Sequence, residues 1–235
     1  KGRLSARWPW QRPFRMDSAA QSSRVRCRRV FVHRQVSDRA DLARSRSLNL
    51  ISFGRHGKDL KLLNSAPCYS GQHLKFEAWG TEYNRHIPVF GEFQAENILC
   101  ALGLVVACGE TPEAAIEATE ALSPPPGRLE LVARILNGSS IFVDFAHTPQ
   151  ALSTVLRELR SQTSGKIILV FGCGGERDQE KRSQMGLIAD RMADEIIITD
   201  DNPRNEKASS IRKDILSNCQ RAGEISDRAE AIKAA

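Results

Sequence analysis

The chain has no Cys-x-x-Cys pair and no Gly-x-x-x-x-Gly-Lys-Ser/Thr loop. It has no apolar run near the roughly 18–20 residues that span a bilayer, and no basic-then-apolar leader at its start. The first absence argues against metal held through sulfur, because no Cys/His spacing of zinc-finger type replaces it. The last two argue against a membrane partner and against secretion. Six cysteines (Cys27, Cys68, Cys100, Cys108, Cys173, Cys219) are scattered along the chain. Cys100 and Cys108 stand among apolar neighbours, where a reduced thiol acts as a small hydrophobe. The reading is a reducing, cytoplasmic setting.

What is present is enough for a packed core: 41% of the 235 residues are hydrophobic. The net charge of +6 is uneven. Residues 1–50 hold twelve Arg and Lys1 against Asp17, Asp38 and Asp41, so the remainder is mildly acidic. A nucleic-acid footprint needs basic residues gathered on a folded face. Here they lie in a stretch with little apolar periodicity, which argues against a nucleic-acid partner. Residues 1–47 therefore read as a basic, disordered or artefactual segment offering at most one short strand within 24–32. An Arg/Ser-rich transit segment and a basic nucleic-acid arm are the alternatives.

From Leu48 the pattern becomes regular. Residues 50–54 predict a buried strand, and 74–79 and 85–90 an antiparallel pair around Gly80. A helix opens at Gly91, with Ile98, Leu102, Val105 and Val106 on one face and Gly109 at its end. Thr111 caps a second helix that begins Pro112-Glu113 and runs to 122. Ser123-Pro124-Pro125-Pro126-Gly127 is the clearest domain boundary. Beyond it, strands at 131–135, 141–145, 167–171 and 195–199 alternate with helices at 149–160, 182–192 and 208–219. The runs at 167–171 and 196–198 are apolar without alternation, as parallel strands covered on both faces require. The expected fold class is α/β, with a Rossmann-like second half built on a mostly parallel sheet.

In such folds ligands bind at the carboxyl ends of the strands. Three segments fall there: Asp144-Phe145-Ala146-His147-Thr148-Pro149, Gly172-Cys173-Gly174-Gly175-Glu176-Arg177-Asp178, and Asp200-Asp201-Asn202-Pro203-Arg204. Two arginines, short carboxylates and an amide converging there suit a zwitterionic or phosphorylated ligand. Each segment alone also suits a plainer reading. Gly-Cys-Gly-Gly could be a flexible turn, Asp-Asn-Pro a capping turn, and Asp144 with His147 a local capping pair.

Taken in order with Gly-Glu-Phe-Gln-Ala-Glu-Asn (91–97) and Pro-Gly-Arg-Leu-Glu (126–130), these segments resemble the Mur ligase family from about Leu48 onward. The resemblance implies the end of a central ATPase domain at 48–123 and a truncated C-terminal ligase domain at 124–235. It implies an ATP- and Mg²⁺-dependent ligase of peptidoglycan precursor synthesis. Its substrates would be a UDP-N-acetylmuramoyl dipeptide, meso-diaminopimelate and ATP. By the same resemblance Asn97 contacts adenine, Arg128 is the catalytic residue that reaches the ATP phosphates, and Asp144, with His147 beside it, holds the ribose. Arg177, Asp201, Asn202 and Arg204 hold the incoming amino acid. Asp-Asn-Pro-Arg marks the members that choose meso-diaminopimelate, whose second carboxylate a guanidinium can fork onto, whereas lysine offers an ammonium that it repels.

The chain departs from the family in lacking the Walker-type phosphate loop, the central-domain Mg²⁺ ligands, the carbamylated-lysine segment and the uridine-binding domain. Position 94 is Gln where relatives carry Asn. Arg228-Ala229-Glu230-Ala231-Ile232 resembles the segment before the family's last strand, and no Gly-Lys-Gly-His-Glu loop follows. The expectation is a piece of a ligase, inactive by itself. The rivals are another Mur-type or folylpolyglutamate-synthetase-like ligase, or a non-catalytic truncated relative.

Overall fold

The computed structural model describes residues 29–33 and 49–235, with the exception of Arg177. Two hydrophobic cores organise them, one among residues 51–116 and one among 152–219.

The first core lies between a five-stranded sheet and two helices. Strands β1 (Arg29–His33), β2 (Asn49–Gly54), β3 (Leu60–Cys68), β4 (Gly71–Ala78) and β5 (Thr81–Ile87) lie in sequence order. The β1/β2 and β2/β3 pairs are parallel, and β3/β4 and β4/β5 are antiparallel. β1 falls where the basic segment offered one short strand; the rest of 1–47 lies outside the described residues. β4 alternates as a half-buried strand should: Leu74, Phe76 and Ala78 face the core, and His73 and Lys75 face out. Trp79 (φ 47°) and Gly80 (φ 85°) form the two-residue turn into β5, both with the positive φ that matches strand twist.

Helix α1 (Glu92–Ala107) covers this sheet with Ile98, Leu99, Leu102 and Val106. Val105 was expected on that face but is 45% exposed beside Leu104. Leu99 and Gly103 complete the buried face in its place. Thr111 caps α2 (Pro112–Glu117) by accepting the Ala114 N–H at 3.2 Å, and a 3₁₀ turn (Ala118–Ala121) follows.

After the proline stretch the order is β6 (Glu130–Arg134), β7 (Ser140–Val143), α3 (Pro149–Gln162), β8 (Ile168–Phe171), α4 (Glu180–Met192), β9 (Glu195–Ile198), α5 (Ala208–Leu216), β10 (Gly223–Glu224) and α6 (Arg228–Ala234). β10, β9 and β8 form a parallel sheet in that order. β6 and β7 depart from the expected alternation: among the described residues they pair only with each other, antiparallel, around Asn137-Gly138. Gly138 (φ 89°) sits in the left-handed region that this turn requires. The second core gathers Leu152 and Leu156 of α3, Met185 and Ala189 of α4, Ile196 and Ile198 of β9, and Ile211 and Ile215 of α5. The two halves touch where Phe90 meets Phe142 edge-on, ring centroids 5.2 Å apart. They touch again where Glu158 accepts the Glu92 N–H at 2.8 Å. Among the described residues no helix is long and apolar enough to cross a membrane.

Candidate functional site

The first loop leaves β7. Both oxygens of Asp144 are occupied: Oδ2 accepts the Leu129 N–H and Oδ1 the Ala146 N–H, each at 2.7 Å. Leu129 is fully buried and left-handed, φ 50°, a conformation that costs a non-glycine residue about 1–3 kcal/mol. The Phe145 N–H donates to the Gly127 carbonyl at 2.8 Å, and Glu130 accepts the Gly127 N–H at 2.7 Å. The turn that carries Arg128 is therefore pinned from both sides. The Arg128 guanidinium itself is exposed and, among the described residues, has no partner. His147 is exposed, with Nδ1 3.2 Å from the Phe145 carbonyl. Thr148 then caps α3 by accepting the Ala151 N–H at 3.3 Å.

The second and third loops leave β8 and β9 and close on one another. The Gly175 N–H donates to the Asn202 carbonyl at 2.8 Å, and Arg204 Nη1 donates back to the Gly175 carbonyl at 2.7 Å. This contact explains two glycines. A Cβ on Gly172 would lie 2.2 Å from the Thr199 carbonyl oxygen, and one on Gly175 would lie 2.0 Å from that of Pro203. The Gly-rich segment is thus close backbone packing and not a flexible turn. Cys173, between them, is 5% exposed, and burial pushes its thiol up to about 11, so it stays protonated and inert.

Asn202 folds its own turn, accepting the Arg204 N–H at 3.3 Å. Arg204 is left-handed, φ 51°, and exposed. Asp201 is exposed, accepts the Asn202 N–H at 2.8 Å and lies 3.9 Å from Arg228. Its neighbour Asp200 is instead tied to Arg212, which also binds Glu224 at 2.6 Å. Lys181, in the first turn of α4, ties that helix to the first loop by donating to the His147 carbonyl at 3.0 Å.

The structure therefore brings Asp144 to the Arg128 turn, and Asn202 and Arg204 to the Gly-rich loop. Arg177 lies outside the described residues. Asn97 is exposed on α1 and donates to Gln94 Oε1 at 2.9 Å; among the described residues no contact joins it to the three loops. No group of three His, Cys, Asp or Glu among them could hold a metal ion.

Sequence reading missed Arg182, a guanidinium only 1% exposed at the start of α4. It forks onto Glu206, with Nη1 at 2.9 Å and Nη2 at 2.8 Å, and meets Asp214 at 2.9 Å. The signal was its spacing: 182, 185, 186 and 189 are the buried positions of α4, at i, i+3, i+4 and i+7.

Loops after successive strands, carrying exposed arginine, carboxylate and amide groups, define the class: an α/β domain of the kind whose strand ends form ligand-binding crevices. Residues 127–235 match the family described as Mur ligase, glutamate ligase domain. The UDP-N-acetylmuramoyl-L-alanyl-D-glutamate--2,6-diaminopimelate ligase of Caulobacter vibrioides is 46% identical over 187 residues, which cover 80% of this chain and 38% of that protein. The ligase of that name from Mesorhizobium japonicum is 43% identical over 190 residues, 81% of this chain and 39% of that protein. A solved structure of a UDP-N-acetylmuramoyl-L-alanyl-D-glutamate--2,6-diaminopimelate ligase aligns with a TM-score of 0.61 and 28% identity, covering 88% of this chain and 44% of that one. A folylpolyglutamate synthase from Mycobacterium tuberculosis, solved with ADP, aligns at 0.67 with 21% identity over 88% of this chain and 47% of that one, a likeness of fold alone. The chain belongs to the Mur ligase family. It spans about 40% of the length of the curated relatives it matches.

Proposed function

We propose that this chain carries the amino-acid-binding part of an ATP-dependent ligase. In that reaction the amine of meso-diaminopimelate is joined to the D-glutamate γ-carboxylate of a UDP-N-acetylmuramoyl dipeptide. The observation that carries this reading is the Asp201-Asn202-Pro203-Arg204 loop, locked against Gly172 and Gly175 with an exposed guanidinium at its end. Arg204 uses one N–H on Gly175, so its remaining donors are available to a ligand carboxylate. Asp201 can meet an ammonium and Asn202 can donate an amide N–H, and in this reading Arg177, outside the described residues, is the second cation. A zwitterion with an extra carboxylate satisfies that set better than lysine does.

Reaction through an acyl phosphate builds negative charge on the phosphoryl oxygens and then on the carbonyl oxygen. Arg128, unpartnered among the described residues on its pinned turn, supplies positive charge toward ATP. Asn97 retains Oδ1 and one N–H for an adenine edge. Asp144 has a remaining lone pair on each oxygen for a ribose hydroxyl, with His147 beside it. ATP fits these groups. The described residues offer the Mg²⁺ that the family implies no cluster of ligands. The boundary at 123–124, with central-domain residues at 48–123, is part of the same reading and is supported by the two separate cores.

The test is a chemical-shift titration of the chain with meso-diaminopimelate and with L-lysine. Shifts at 174–176 and 201–205 with diaminopimelate, and at least about tenfold weaker response to lysine, support the reading. Equal responses, or shifts confined elsewhere, refute it.

A further inference from the structure

One buried charge is left unused by that reading. Arg182 is the largest fully buried side chain among the described residues. A guanidinium in that setting is unfavourable unless it is paired and hydrogen-bonded. Two carboxylates pair it, and they differ in what else they touch. Glu206 takes both ends of the fork, and its Oε1 also accepts the backbone N–H of Glu176. Glu206 donates its own N–H to the Pro203 carbonyl at 3.0 Å, and Asn205 Nδ2 reaches Glu176 Oε1. The Asp214 carboxylate, on α5, meets only Arg182 among the described residues. Glu206 therefore joins the Gly-rich loop to the Asp-Asn-Pro-Arg loop, while Asp214 joins neither.

The backbone at the joined points is unusual. Glu176 (φ 53°) and Arg204 (φ 51°) are both left-handed, and neither is glycine. Non-glycine residues persist there only where the surroundings over-determine them. Here the determinants are the Glu206 carboxylate at Glu176, and the Asn202 side chain and Gly175 carbonyl at Arg204. A plain core ion pair would need no contact with either strained residue.

We propose that Arg182, acting through Glu206, is the positioning residue of the amino-acid site. It fixes the two loops so that the Arg204 guanidinium stands where the second carboxylate arrives. This rests on the amino-acid reading above. Arg182 touches no substrate, and its effect on the ligand passes through Glu206 and the two strained residues.

The two carboxylates make the test. Glu206→Gln and Asp214→Asn each remove one charged partner from Arg182 and keep its shape. In the whole chain, amide exchange at 175–176 and 204–205 should rise at least about tenfold in Glu206→Gln and less than about twofold in Asp214→Asn. The meso-diaminopimelate dissociation constant should rise roughly ten- to hundredfold in the first and stay within twofold in the second. Arg182→Lys, which keeps the charge but cannot fork, should behave like Glu206→Gln. If loop exchange is unchanged in Glu206→Gln, or rises equally in both variants, the network is only structural and the proposal falls. If the unaltered chain ignores diaminopimelate, the amino-acid reading fails, and exchange alone then decides whether Glu206 sets the loops.

Discussion

The Asp144 carboxylate accepts the backbone N–H of Leu129 at 2.7 Å, and the turn it holds is the one that presents Arg128. Fifteen residues apart in sequence, the two groups assign Asp144 a structural role alongside the ribose contact expected of it. Its second oxygen holds Ala146, so the side chain bridges the start of the C-terminal half to the loop after β7.

Asp144→Ala should therefore lower stability as well as weaken nucleotide contact. Two part-buried backbone donors lose an acceptor, and each such loss costs about 1–3 kcal/mol. Equilibrium denaturation measures it. A variant as stable as the parent would mean that water replaces the carboxylate at both amides.

Gly186→Ala sets two effects against each other. Alanine in a helix interior is favoured over glycine by about 1 kcal/mol. At this position a Cβ would sit 2.1 Å from the Ile215 carbonyl oxygen, where α4 meets α5. Overpacking against backbone costs about 1–3 kcal/mol, and the clash should win, lowering the melting temperature by several degrees. Gly109→Ala has open space but a φ of 114°, so its cost should come from backbone strain alone.

Acid should unfold the C-terminal half through identifiable carboxylates. The Ile167 N–H, then Arg160, holds Asp194 below its ordinary value. Arg182, then the Glu176 N–H, does the same for Glu206. For a group whose folded pKa is depressed, stability is fully present above the unfolded value and is lost as pH falls through the folded one. Melting temperature should hold from pH 7 to about 5 and then fall below about pH 4, the ordinary carboxylate range. Asp194→Asn and Glu206→Gln should flatten that fall. An unchanged acid limb in both variants would remove these two groups from the account.

The 235-residue chain alone should release no phosphate from ATP. No Gly-rich loop ending in Gly-Lys-Ser/Thr is present to hold the β- and γ-phosphates, and that stabilisation is usually the largest catalytic contribution. A phosphate-release assay with Mg²⁺ and the muramoyl dipeptide decides it. Turnover above background would show that another part of the chain does that work.

The parallel strands were legible because Ile167 to Phe171 and Ile196 to Ile198 are unbroken apolar runs. β3 was not, because Pro67 sits within it and a bulge between Leu62 and Asn64 breaks its alternation. The β6/β7 strands were legible but their partnership was misjudged. Asn137-Gly138 between two apolar runs is a hairpin signal that overrides strand–helix alternation in this stretch. The three loops were found because their residue types follow strands. The tasks inside them were not, since no local pattern tells that Asp200 is spent on Arg212 while Asp201 is free of it. Arg182 next to Lys181 shows the same limit. Adjacent cations read alike in sequence, and only the helix register sends one inward and leaves the other at the surface loop.

The most direct test of the amino-acid reading is the diaminopimelate-to-lysine preference of the chain and of Arg204→Ala, both by calorimetric or shift titration. One charge-assisted contact is worth about 1.5–3 kcal/mol, or roughly ten- to hundredfold in affinity. The account predicts that the preference is present in the parent chain and vanishes in Arg204→Ala, as diaminopimelate affinity falls and the repulsion of lysine is relieved. Arg204→Ala that still prefers diaminopimelate as strongly as the parent would contradict it.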